Sequence, residues 1–162
     1  MPGKAVHRKR FVETLLQAAE AVICTFGIMW GFAAAHKPGA IWALVSAVIV
    51  LRPGFEDSLR ASEVRIAANI VGGVVGVVVG VAAQASGPKQ IALALALTIL
   101  ICHWPPLENG VRSACAGVVI VMMHDGGSVT HMGLERLAAV LVGCSSALLV
   151  GYAGERLSRW AS

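Results

Sequence analysis

Charge is what this chain has least of. Asp, Glu, Lys and Arg together make only 14% of its 162 residues. A soluble domain carries about 25%, so a water-facing surface is excluded over most of the length. Aromatic residues are equally sparse, at 6%, with one tyrosine. The basic residues are spread among the loops and not interleaved with aromatics, so the net charge of +4 does not point to nucleic acid. Four cysteines (Cys24, Cys102, Cys115, Cys144) lie in apolar runs without CxxC spacing. They read as small buried residues, not as disulfides or metal ligands. His103, Glu108 and Arg112 form one polar group, and His124, Asp125 and His131 another, but neither has metal-ligand spacing. Ser128 beside that second group lacks a nucleophile elbow or oxyanion hole. We therefore expect no catalytic residue, no metal and no cofactor.

What is present is apolar sequence. Hydrophobic residues make 57% of the chain and the mean hydropathy is +0.75. Six apolar segments can be drawn, at residues 11–35, 40–51, 64–83, 89–104, 111–123 and 134–153. Gly and Pro clusters punctuate them, among them Arg52-Pro53-Gly54 and Trp104-Pro105-Pro106. A spanning helix needs about 20 apolar residues, so six of them leave no room for a soluble domain. The pattern predicts an all-α integral membrane domain over residues 1–162. The basic run from Lys4 to Arg10 reads as a cytoplasmic anchor and not as a cleavable signal. With the N-terminus inside, ten basic residues fall on the cytoplasmic side and three (Lys37, Lys89, Arg136) outside. That bias follows the positive-inside rule and places both chain ends in the cytoplasm.

The chain also matches itself. Residues 39–80 align without a gap on 110–151, an offset of 71, and twelve of the 42 columns are identical. Chance gives roughly a tenth in so biased a composition. Three crossings per copy make the copies face opposite ways, a plan common among secondary transporters. The expected repeats are residues 11–84 and 85–155. Segments two and five occupy equivalent positions and are short: 12 helical residues reach about 18 Å against a core of about 30 Å. Paired short segments point to a transporter binding site.

Several residues within this frame could carry function. Arg65 and Arg136 are equivalent, and each opens a segment with small residues every four. A symmetry-related pair of anion-binding arginines at helix N-termini is one reading; topology and headgroup contact is the plainer one. Glu135 could pair with Arg136. Asn69 is a polar side chain one turn beyond Arg65, able to bond across helices or to touch substrate. Arg112 and Trp42 are further binding candidates, although aromatic belts also explain the tryptophans. Glu20 is a proton-relay candidate if segment one spans from Phe11, and His103 could confer pH sensitivity. Gly72, Gly76 and Gly80, with Gly143, Ala147 and Gly151, form two small-residue faces. Through them the third and sixth helices are expected to cross.

The stretch WALVSAVIVLRPGFEDSLR at 42–60, followed by RIAANIVGGVVG at 65–76, resembles the fusaric acid resistance protein-like membrane domain of bacterial aromatic acid exporters. That domain is distantly similar to the plant aluminium-activated malate transporters. The shared pattern is a short apolar helix ending in a polar turn, then an arginine-led helix with small residues every four. The resemblance implies a six-helix unit of the bacterial inner membrane that moves organic anions such as aromatic carboxylates outward. Arg65 matches the family's arginine, and Arg136 follows from the repeat. The chain has Ala68-Asn69 where the family usually has Gly-Thr. It lacks the soluble domain or second six-helix unit that members often carry, which implies a homodimer or a partner membrane chain. The alternative is a non-transporting assembly or regulatory subunit of a larger complex.

Overall fold

The computed structural model describes residues 3–36, 39–83, 87–105, 107–123 and 129–160. Among them are six α-helices: α1 (Gly3–Ala34), α2 (Ala40–Val50), α3 (Phe55–Ala83), α4 (Pro88–Ile101), α5 (Val111–Met122) and α6 (Val129–Trp160). A 3₁₀ turn, Leu107–Gly110, leads into α5. No strand occurs among the described residues. Three stretches are long and apolar enough to cross a membrane: Thr14–Ala34, Phe55–Ala83 and Thr130–Leu157. The chain is a multi-pass membrane protein.

Helices α2 and α5 are short, as the sequence predicts, with 11 and 12 residues. Helix α4, with 14 residues, is short as well. Helix α2 starts after Gly39, whose φ of 108° only glycine adopts readily. It stops before Arg52 because the residue preceding a proline is pushed out of the helical region. The end is held by Gln17, whose Nε2 donates to the Leu51 carbonyl at 3.2 Å.

Helix α3 begins nine residues before the expected segment start at residue 64. Gly54, at φ 105°, turns the chain, and Glu56 and Asp57 in the first turn suit the helix dipole. The buried Ser58 hydroxyl accepts from the Arg52 amide at 3.0 Å and donates to the Arg52 carbonyl at 3.1 Å. That one side chain closes the Arg-Pro-Gly turn onto the helix. Ser58→Ala leaves both Arg52 groups without this partner and should cost about 1 kcal/mol, read as a lowered melting temperature in detergent.

The chain divides into two compact units, Met1–Ser62 with Leu141–Ser162, and Glu63–Val140. The division does not follow the sequence repeats. The first unit holds α1 and α2 with the later part of α6. The second holds α4 and α5 with most of α3. Each unit thus takes two helices from one copy and the long third helix of the other.

In the second unit, Val75 and Val79 of α3 pack with Ala94 of α4 and with Val118 and Met122 of α5. Ala68, Cys102 and Ala114 form a second cluster. Phe26, Trp30 and Val78 are more than half exposed, as befits surfaces that meet lipid. Between helices in lipid there is no hydrophobic driving force, so close approach and hydrogen bonds must hold them.

The small-residue faces supply that approach, though not between the helices expected. A Cβ on Gly72 would strike the Ala114 carbonyl oxygen of α5 and lie 2.9 Å from its carbonyl carbon. A Cβ on Gly76 would lie 3.3 Å from Val121 Cγ1. In the first unit a Cβ on Gly143 would strike the Ala43 carbonyl oxygen of α2. Ala147 is fully buried. Gly80 is buried too, whereas a Cβ on Gly151 would meet nothing within 4 Å. At Gly72, Gly76 and Gly143 the seams therefore seat the short helices. A short helix presents its backbone over few turns, and only glycine opposite lets the main chains touch.

The contacts are reciprocal under the offset of 71: Gly72 corresponds to Gly143, and Ala114 to Ala43.

Candidate functional site

Several hydroxyls within these helices satisfy themselves locally. Thr25, Ser46, Ser62 and Thr98 each donate to the carbonyl four residues earlier, at 2.7–2.9 Å. Such back-bonds are ordinary in apolar helices and leave nothing for a ligand.

Four side chains in the second unit behave differently. Arg65 of α3 donates from Nη1 to Ser113 Oγ of α5 at 2.7 Å. Asn69, one turn on, donates from Nδ2 to the Arg65 carbonyl at 2.8 Å and to Ser113 Oγ at 3.3 Å. Its Oδ1 accepts from Arg136 Nη2 of α6 at 3.3 Å. Two guanidinium groups are thus linked through a neutral hydroxyl and a neutral amide. Arg65, Asn69 and Arg136 are 8%, 5% and 6% exposed. Burying an arginine at membrane depth costs at least about 2.5–3.5 kcal/mol, and here two share one cluster.

The structure joins three of the predicted site residues, Arg65, Arg136 and Asn69, and adds Ser113. Ser113 escapes a sequence reading because its neighbour Arg112 draws attention. A helix turns about 100° per residue, which leaves Arg112 exposed and Ser113 half-buried against the cluster. Trp42 lies in the other unit, half-buried near the start of α2. Among the described residues the cluster exists once. The repeat places Val140 opposite Asn69 and Trp42 opposite Ser113, so the arginines are duplicated but their linkers are not.

Two expectations about the arginines are corrected. Neither opens its helix: α3 starts ten residues before Arg65, and α6 seven residues before Arg136. At 1.5 Å per residue these are about 15 Å and 10 Å along the axis, beyond the first turn in which the dipole acts. Glu135 does not turn towards Arg136 either. It is exposed and sits 3.7 Å from His131 Nδ1, one helical turn away.

Glu20 falls inside the Thr14–Ala34 stretch. It lines a cavity of about 440 Å³ in the first unit, with Gln17, Arg52 and Glu155. Gly154 makes room for it, since a Cβ there would strike the Glu20 carboxylate. His103 is exposed in the turn after α4. His124, Asp125 and Ser128 lie outside the described residues. No group of three metal-ligating side chains forms among the described residues.

A second cavity, of about 210 Å³, runs beside the arginine cluster between α3 and the first turns of α6. Its walls include Val74, Val77, Leu134 and Leu137, with Gly73 and Gly133 in the lining and Asn69 as a polar contact.

No curated protein matches this chain. The model of the fusaric acid resistance protein-like family matches residues 23–150. That span covers α2 to α5 whole, the last third of α1 and most of α6, including the arginine cluster. The chain belongs to this family, which points to membrane transport or resistance-related export.

Proposed function

We propose that this family member is a transporter or channel for organic anions, not an enzyme, and that it exports aromatic carboxylates across the bacterial inner membrane. The observation that carries the reading is the buried linkage of Arg65 and Arg136 through Ser113 and Asn69. Two like charges held close at membrane depth are relieved by an anion between or beside them. A carboxylate about 4 Å from one guanidinium gains about 4 kcal/mol at an effective dielectric of 20, and a second guanidinium adds to it. Both linkers, the Ser113 hydroxyl and the Asn69 amide, are neutral.

The reciprocal Gly72–Ala114 and Gly143–Ala43 contacts support an inverted-repeat plan, with both chain ends cytoplasmic and the short helices crossing part of the bilayer. We take the working assembly to be a homodimer.

The test is flux of labelled benzoate into proteoliposomes. Arg65→Ala with Arg136→Ala should lower the flux at least tenfold, while Arg112→Ala should change it less than twofold. Benzoate flux unaltered in a well-folded double variant would end the proposal.

A further inference from the structure

The arginine cluster explains how a negative charge is held but not what else the solute carries. The groove beside it addresses that question. It is an apolar slot within one unit, and Asn69 is both part of its wall and the acceptor of the Arg136 hydrogen bond. A molecule lying in the slot with a carboxylate directed towards Asn69 would keep its charge near a guanidinium and its hydrocarbon against Val74, Val77 and Leu137. This juxtaposition selects an amphiphilic anion over a small hydrated one. It also selects against an uncharged lipid chain, which gains nothing from the cluster.

Size follows from volume. A cavity of about 150 Å³ lined by apolar side chains accepts benzene. At about 210 Å³ the groove has room for one six-membered ring with its small substituents, and it is open on one side, with Val74 and Leu134 more than half exposed. The width depends on a position without a side chain. Gly73 lines the slot, and a Cβ built on it meets nothing within 4 Å. A larger residue there would grow into the slot without striking the fold. The opposite holds one residue earlier, where Gly72 is pressed on the α5 backbone. Packing therefore demands glycine at 72 but not at 73. The repeat makes the same point, because position 144, equivalent to 73, carries a buried cysteine.

We propose that the α3–α6 groove seats the apolar body of the transported anion and that Gly73 leaves the room its ring occupies. The proposal rests on the anion-transport reading and adds a specificity-determining residue to it. The experiment measures benzoate, 2-naphthoate and acetate flux in the same proteoliposomes. The wild type should favour benzoate over acetate at least tenfold. Gly73→Leu should lower the benzoate-to-acetate ratio at least tenfold, and Val77→Ala, which opens a wall, should raise the naphthoate-to-benzoate ratio. Arginine-dependent flux with ratios unmoved by either variant overturns the groove and leaves the transport reading standing. Flux that does not depend on Arg65 and Arg136 overturns both.

Discussion

Asn69→Asp should abolish anion transport while leaving the protein folded. Asp and Asn share a shape, so Oδ1 still accepts from Arg136 Nη2, at the present 3.3 Å. The new carboxylate, however, brings a negative charge between two guanidinium groups and becomes a built-in counter-ion. Charge-assisted bonds are roughly twice as strong as neutral ones, but the second carboxylate oxygen replaces the Nδ2 that donates to the Arg65 carbonyl at 2.8 Å, so the melting temperature in detergent should stay within a few degrees of the wild type. The same charge cancels what attracts a solute. A loss of even half of a Coulomb gain of about 4 kcal/mol weakens anion binding by more than tenfold. Benzoate flux should therefore fall while stability holds. If the cluster only packed helices, flux would stay as it is. Asn69→Leu separates the terms further: it removes the link without adding charge, and both stability and flux should fall.

Gly72→Val and Gly143→Val should each destabilise the protein severely, and to a similar degree. The atom that a Cβ meets is a backbone carbonyl oxygen in both places, on Ala114 and on Ala43. Trimming the neighbouring side chain cannot relieve such a clash, so Ala114→Gly should not rescue Gly72→Val. Overpacking of this kind costs about 1–3 kcal/mol, occasionally more, and in a bilayer the loss of contact has no hydrophobic compensation. Gly73→Ala and Gly151→Ala should sit within about 0.5 kcal/mol of the wild type, since both face open space. Detergent melting curves of the four variants check this. A tolerated Gly72→Val would remove the basis for calling the contacts reciprocal.

Much of this architecture was legible in the chain. Scarce charge and Gly/Pro punctuation placed six helices, and the offset of 71 singled out Arg65 with Arg136 and Gly72 with Gly143. Helix starts were read too late for α3 and α6, because Phe55-Glu56-Asp57-Ser58 looks like a polar turn. It is in fact a first turn whose serine folds back on Arg52. That error moved the arginines to helix N-termini, where the structure does not have them. The seams were recognised as seams, but spacing along one helix cannot say which helix lies opposite. Ser113 was invisible for a similar reason. A single hydroxyl in an apolar segment usually bonds its own backbone, as Thr98 does, and only the fold shows that this one reaches Arg65. The groove has no sequence signature, since it is bounded by two segments about 60 residues apart.

The central claim is that a buried guanidinium pair holds the carboxylate of a transported anion. It is tested most directly by binding of 4-fluorobenzoate to the purified protein, followed by ¹⁹F resonance in detergent. Saturable binding near one site per chain is expected in the wild type, weakened at least tenfold by Arg65→Ala, Arg136→Ala and Asn69→Asp, and little changed by Arg112→Ala. Equal saturation in the wild type and in a folded Arg65→Ala, Arg136→Ala double variant would contradict it.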